Sequence, residues 1–336
     1  MHDHEEPGRL TPTLLAMPAP HAVRAIASAL LDDVHSARTR FEDDEPDALH
    51  DLRVAMRRLR SWLRAFRPEL SDTVRGRTRR KLRALASATN EARDAEVALA
   101  FIRRQSGLTA RTRAAVRDMA DELEKVCGDH ARATRRTVGK ELPKTAHDLS
   151  TQLESWWEHH RLSAPASVRP MSEVFADAIR HQARRVESGL ARIERSGKPD
   201  HVHRARIAAK RLRYLLEPLG EEPETVGSVD QLKSLQRLLG DVRDTHRIAT
   251  RFVREIGERA ARQARARALT SAGIVPDDRA EPSAPVVRRS GLTELARRAE
   301  SARDAAYSEF EAAWGDAERM ALVERIERIA ARVAPG

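Results

Sequence analysis

Cysteine is nearly absent from this chain of 336 residues, which contains Cys127 alone. A single cysteine excludes an internal disulfide framework, and no CxxC pair or Cys/His cluster predicts a metal site. Free cysteines in proteins are mostly buried, so we interpret Cys127 as a small helix-packing residue. We expect neither a bound metal ion nor a cofactor.

Aromatic residues make up only 4% of the sequence, and no segment has the pattern of a β-strand. The apolar residues, 40% of the chain, are mainly Ala, Leu and Val. Ala, Leu, Arg and Glu are all good helix formers. The composition therefore predicts an all-α protein with enough apolar residues for a core.

Long apolar runs are also missing, since none reaches the ~18 residues that a membrane-spanning helix requires. The acidic start, MHDHEEPGRL, lacks the basic segment of a signal peptide. We therefore expect a soluble, cytoplasmic protein.

Acidic residues are too few to balance the basic ones: 51 Asp and Glu against 61 Lys and Arg give a net charge of +10. A protein with this charge attracts polyanions. The candidate partners are nucleic acid, polyphosphate and an anionic membrane surface.

Proline-rich breaks divide the chain. Residues 1–19 are predicted to be a mobile tail, because prolines interrupt any helical pattern there. The stretch 153–170 is predicted to join two helical halves, 20–160 and 161–336. A proline-rich stretch at 273–291 is predicted to form a long loop within the second half.

The chain contains an internal repeat, which indicates a tandem duplication. PDALHDLRVAMRRLRSWL at 46–63 aligns with PDHVHRARIAAKRLRYLL at 199–216, and LRALASATNEARDAEVAL at 82–99 aligns with LKSLQRLLGDVRDTHRIA at 232–249. The alignment matches Pro46 with Pro199, His50 with His203, Arg53 with Arg206, Arg57 with Lys210, Arg83 with Lys233, and Arg93-Asp94 with Arg243-Asp244.

The helices predicted over 46–63 and 199–216 each have an apolar face and a cationic face. The cationic faces carry His50, Arg53, Arg57, Arg60 and Arg64 in the first copy, and His203, Arg206, Lys210 and Arg213 in the second. From His50 to Arg60 the helix rises about 15 Å. That length suits a chain of phosphates better than one phosphate, and arginine forks bind phosphate oxygens two at a time.

A charge run on a helix is usually a solvated face balanced by nearby carboxylates. Here no acidic residue lies between positions 203 and 213, and the imbalance appears in both copies. We therefore favour anion binding, with a solvated face as the alternative. For His50 and His203 we favour a role at a phosphate surface over catalysis, because no acid–base partner or nucleophile accompanies them.

With its two motif helices and the segments NEARDAEV and LGDVRDTH, the sequence resembles the CHAD family, the conserved histidine α-helical domain. The resemblance covers roughly residues 18–333. It implies two four-helix bundles related by a pseudo-two-fold axis, with a basic central cleft. It also implies binding of inorganic polyphosphate and association with polyphosphate granules. One departure from the pattern is Asn90, which stands opposite Gly240.

The resemblance assigns polyphosphate binding to the cationic faces and to two basic residues on the following helices. These residues are His50, Arg53, Arg57, Arg60, Arg83, His203, Arg206, Lys210, Arg213 and Lys233. Further candidates are Arg64, Arg79, Arg93, Arg237 and Arg243. We expect the Arg93-Asp94 and Arg243-Asp244 pairs to fix neighbouring helices through ion pairs, and we expect no catalytic residue.

The leading hypothesis is a non-catalytic polyphosphate-binding protein that targets to or organises polyphosphate granules. A polyphosphate-processing phosphohydrolase is less favoured, because the sequence has no carboxylate metal motif and no Gly-rich phosphate loop. A non-specific nucleic-acid-binding protein is the other alternative, but base-reading modules are missing and aromatics for stacking are few. The sequence leaves the oligomeric state and the preferred chain length open.

Overall fold

The computed structural model describes residues 8–160, 168–196, 198–272 and 284–334, without the side chains of 90–93, 111, 194–196 and 284–290. The helices are α1 (Pro12–Ala16), α2 (Ala19–Glu42), α3 (Ala48–Ala65), α4 (Gly76–Arg103), α5 (Ala110–His160), α6 (Met171–Ser196), α7 (Pro199–Leu216), α8 (Pro223–Ser271), α9 (Ala284–Ala313) and α10 (Asp316–Val333). The described part of the chain contains no strand, so the predicted all-α class is confirmed.

Contacts divide the chain into two compact units. The first comprises Met1–Asn90, Ala133–Arg237 and Ala313–Gly336, and the second comprises Glu91–Arg132 and Leu238–Ala312. Each unit therefore takes segments from both predicted halves of the chain. The assignment of one bundle to each half stays a prediction.

In the first unit, α2 packs on α3 and α6 packs on α7, and the two motif helices α3 and α7 also contact each other. The predicted apolar stripes form these contacts, because Leu52, Leu59, Ala205 and Leu212 are all fully buried. Helices α6 and α7 lie unusually close: a Cβ built on Gly189 would be 3.2 Å from the Cα of Ala205. A side chain at position 189 would therefore push the two helices apart.

Residues 8–19 belong to the segment predicted to be a mobile tail, but they pack against later parts of the first unit. Leu10 is buried, and its N–H donates to the carbonyl oxygen of Pro218 at 2.7 Å. The N–H of Met171 donates to the carbonyl oxygen of Met17 at 2.8 Å. The prolines exclude a long helix here, as predicted from the pattern. Backbone groups of the segment instead form hydrogen bonds with distant residues. Residues 1–7 lie outside the described residues.

The second unit has a core of its own, built by α4, α5, α8 and α9. Its buried residues include Leu99, Leu123, Phe252 and Leu295, and Cys127 packs against them. Helix α9 already includes residues 284–291, so the end of the predicted loop is helical. The remainder of that loop, 273–283, lies outside the described residues.

A buried arginine joins three segments of the first unit. Arg24 is fully buried, and its guanidinium donates to Asp72 Oδ1 at 2.6 Å and to Thr73 Oγ1 at 2.6 and 3.0 Å. It lies over the ring of Trp156, 3.7 Å from the centroid, and Trp156 Nε1 donates to Asp72 Oδ2. Burial lowers the pKa of Arg24 to about 10 despite Asp72, so the group stays charged at neutral pH.

We expect Asp72→Asn to lower the free energy of unfolding by about 1–2 kcal/mol, because it leaves a buried guanidinium without its counter-ion. The figure is below the roughly 3–5 kcal/mol for a fully buried pair because the Asp72 side chain is 56% exposed. Chemical denaturation measures it. Asp44→Asn removes the exposed ion pair with Arg135 and should change stability by less than about 1 kcal/mol. Equal losses would contradict the special role of Asp72.

This loss should depend on pH. Burial alone would raise the pKa of Asp72, but Arg24 and hydrogen bonds from Thr73 and Trp156 hold it below its ordinary value of 3.8. The carboxylate therefore stabilises the fold above that pH, and the contribution disappears as pH falls through the lowered pKa. The difference between wild type and Asp72→Asn should be constant above about pH 5 and shrink towards zero in stronger acid.

Candidate functional site

The cationic face of α3 runs from its first turn at the surface through a buried arginine and back to the surface. His50 is exposed, whereas Arg53 is only 8% exposed and its Nη2 donates to the carbonyl oxygen of Thr89 on α4 at 2.5 Å. Arg57 and Arg60 are half-buried, and Arg64 is exposed. Arg53 thus holds α4 against α3, while the later arginines face outward.

Among the described residues, the charged groups that shift the pKa of Arg60 are all arginines. Burial, followed by Arg83, Arg57 and Arg64, lowers its pKa. Among the described residues, no acidic side chain forms an ion pair with Arg60, Arg64 or Arg83. At Arg60, Arg64 and Arg83 the described residues therefore supply no carboxylate to pair with the positive charge.

Two arginines that the sequence prediction missed join this surface. Arg211 on α7 is half-buried, and burial followed by Arg64, Arg185 and Arg60 lowers its pKa to about 10. Arg185, on α6, is exposed. The prediction missed both because a helical wheel shows only one helix, and these arginines meet through the packing of α3, α6 and α7. The acid-free stretches HQARRV at 181–186 and AAKRLR at 208–213 were the available signal.

We define the arginine cluster as the six guanidinium groups linked by these electrostatic interactions. They are Arg57, Arg60, Arg64, Arg83, Arg185 and Arg211. All six belong to the first unit.

The second motif helix is surrounded differently. His203, Arg206 and Lys210 are half-buried on α7. Arg213 forms an ion pair with Glu217 at 3.6 Å, and Lys233 forms one with Asp230 at 2.9 Å. The protein therefore supplies carboxylate partners for two of the cations predicted to bind in the second copy.

The remaining candidates are divided between the two units. Arg79 is half-buried and donates to the carbonyl oxygen of Leu70, and Arg237 is exposed on α8. Arg243 belongs to the second unit, where its guanidinium lies 3.9 Å from Asp244. The side chain of Arg93 lies outside the described residues.

One of the ion pairs between helices in the second unit uses a residue that the sequence prediction did not select. Asp94 on α4 accepts from both Nη1 and Nη2 of Arg247 on α8, with an Nη1–Oδ1 distance of 2.6 Å. Sequence reasoning placed this role on the adjacent Arg-Asp pairs. The prediction that Asp94 fixes a neighbouring helix is consistent with this ion pair, but its partner is Arg247, which helix packing brings beside it.

The arginine cluster has the chemistry of an anion-binding surface. Guanidinium groups donate hydrogen bonds in a planar fork, and a pKa of about 10 for Arg211 leaves it fully charged at neutral pH. No group of three potential ligands among the described residues could hold a metal ion. None of the helices in the same residues is long and apolar enough to span a bilayer.

Comparison with known proteins identifies the fold. A model of the CHAD domain matches residues 25–252 of the chain. The CHAD domain from the plant Ricinus communis is similar with a TM-score of 0.58 and 21% identity, covering 85% of this chain and 96% of that chain. PptA from Streptomyces chartreusis is similar with a TM-score of 0.60 and 15% identity, covering 89% and 99% respectively. No curated protein sequence matches the chain.

The family model spans more than half of the chain, and the helical fold is shared with the two solved structures. The motif helices α3 and α7, which carry four of the six arginines of the cluster, both lie within the matched residues. The chain therefore belongs to the CHAD-domain family, which is known to bind polyphosphate.

Proposed function

We propose that this protein binds inorganic polyphosphate without chemically changing it. The observation that carries the proposal is the arginine cluster, in which the half-buried Arg60 and Arg211 have other arginines as electrostatic neighbours and, among the described residues, form no ion pair with a carboxylate. An anion at this surface relieves the repulsion, and several neighbouring forks favour a ligand with several phosphates.

The composition of the cluster supports binding over catalysis. Its side chains donate hydrogen bonds and remain protonated at neutral pH, so they neither accept a proton nor attack phosphorus. The groups that hold phosphate here are therefore not the acid–base pairs that hydrolysis uses. On this proposal the protein is not an enzyme.

Nucleic acid is the competing phosphate polymer, since any such polymer releases counter-ions on a cationic surface. Polyphosphate is favoured because its charge lies along a chain without bases or sugars. The half-buried positions of Arg60 and Arg211 suit a slim, densely charged strand.

We expect long-chain polyphosphate to bind far more tightly than triphosphate or orthophosphate, because each added phosphate meets another fork. Affinity should fall on the order of 100- to 1,000-fold between 50 and 200 mM salt if the six arginines are neutralised. Fluorescence titrations at fixed salt measure both effects. Equal affinity for triphosphate and long chains would contradict the proposal, as would tighter binding of single-stranded DNA.

Replacing Arg60 and Arg211 together by Ala should reduce polyphosphate affinity at least tenfold, because each charge-assisted contact is worth on the order of 1 kcal/mol or more. The melting temperature should stay the same or rise, because two half-buried like charges disappear. Arg262→Ala with Arg297→Ala removes the same charge from exposed sites in the second unit and should weaken binding much less. Equal weakening by both variants would mean that net charge alone determines affinity.

Binding would bring the protein to polyphosphate granules. A fluorescent fusion expressed in a bacterium that accumulates polyphosphate should concentrate on the granules, and the fusion carrying Arg60→Ala and Arg211→Ala should remain diffuse. A wild-type fusion that stays diffuse beside visible granules would contradict the granule role.

A further inference from the structure

Equivalent contacts of the two motif helices differ in the charge of one partner. Arg58 of α3 and Arg211 of α7 are equivalent in the repeat. The Nε of Arg58 forms an ion pair with Glu217 at 3.0 Å, whereas Arg211 interacts with Arg64. In the same register Arg64 is the equivalent of Glu217. The Arg58–Glu217 interaction is thus an ion pair, whereas the equivalent Arg211–Arg64 interaction is a repulsion between two cations.

The same reversal occurs between α2 and α6, which pack on the motif helices. The buried residues of these helices align in one register, Ala19 with Met171, Val23 with Phe175, Ala27 with Ile179, Leu31 with Ala183 and Val34 with Val186. In that register Asp33 is equivalent to Arg185. Asp33 interacts electrostatically with Arg58, and Arg185 with Arg211. The neighbour of the equivalent arginine is therefore a carboxylate in one copy and a guanidinium in the other.

A third reversal lies on α4 and α8. Lys233 forms an ion pair with Asp230 one turn earlier on α8. Their equivalents in the repeat are Arg83 and Arg80, both exposed on α4. Within the described residues neither arginine has an acidic partner. The position of the carboxylate residue Asp230 is thus again taken by an arginine, Arg80, in the other copy.

Through the repeat, these positions form two equivalent sets of side chains around the motif helices, here called the mixed cleft and the arginine edge. The mixed cleft has a volume of about 440 Å³, and its repeat positions are Asp33, Arg58, Arg213, Glu217, Asp230 and Lys233. The arginine edge holds their equivalents, Arg185, Arg211, Arg60, Arg64, Arg80 and Arg83. Three carboxylates balance three cations in the cleft, whereas all six positions of the arginine edge are cationic.

We infer that this duplicated fold binds one polyphosphate strand and not two, on the arginine edge, with the mixed cleft neutralised by the protein's own carboxylates. The inference rests on the proposed function and adds Arg80 to the arginines of the cluster as a binding residue. It also removes Arg213 and Lys233 from the binding surface.

The carboxylates of the mixed cleft oppose a second strand in two ways. Glu217 and Asp230 already form ion pairs with Arg213 and Lys233. A phosphate must therefore displace these carboxylates. The displaced carboxylates would remain beside the phosphate and repel it. On the arginine edge a phosphate meets neither obstacle.

The repeat supplies matched variants for the test. Arg60→Ala with Arg211→Ala alters the arginine edge, and Arg58→Ala with Arg213→Ala alters the equivalent positions of the mixed cleft. We expect the first variant to lose at least tenfold in affinity for size-fractionated short-chain polyphosphate, and the second to lose less than threefold. Calorimetric titration gives both the affinity and the number of chains bound, which should be one for wild type.

A gain of binding tests the role of the carboxylates. Asp33→Arg with Glu217→Arg installs in the cleft the residues that the other copy has, so two short chains should bind to each molecule. If that variant does not fold, Asp33→Asn with Glu217→Gln removes the repelling charge and should reveal a second, weaker chain.

Other results of these experiments would overturn either the inference alone or the proposed function as well. Equal losses from the two alanine pairs, two chains bound to wild type, or no second chain after removal of the carboxylates would overturn the inference while polyphosphate binding stands. Wild-type protein that binds no polyphosphate would overturn the proposed function itself, and the inference with it.

Discussion

The structure depends on a balance between apolar packing and the repulsion of like charges around α3 and α7. The stripes that include Leu52, Leu59 and Leu212 are fully buried, and each large side chain of this kind contributes roughly 1.5–3 kcal/mol when buried. This packing holds Arg60 and Arg211 partly out of water beside other cations, which is unfavourable by itself. The apolar side of each helix thus keeps the charged side assembled before any anion arrives.

The sequence was sufficient to predict the helical class and the two faces of each motif helix, because both follow from a residue's own position along a helix. Arg57, Arg60 and Arg64 were selected in that way. Arg185 and Arg211 were not, because their importance comes from the packing of α6 and α7 beside α3. Arg53 shares the cationic arc of its helix, but α4 covers it, and periodicity cannot show which neighbour will do so.

Local sequence patterns also could not predict which distant segments of the chain pack together. Residues 8–19 lack helical periodicity, yet Leu10 and Met17 make backbone hydrogen bonds to residues far along the sequence. Similarly, the repeat shows two similar halves, but the compact units combine segments of both. A duplication records how the sequence arose, whereas the units record which surfaces pack together.

Gly189 shows how a residue without a side chain determines the chemistry of this surface. It lies one helical turn from Arg185, and its missing methyl group allows the backbone of α6 to approach Ala205 of α7. The separation of the guanidinium groups carried by these helices therefore depends on a position outside the arginine cluster. Selection for a particular spacing of these arginines would therefore act on this glycine as well.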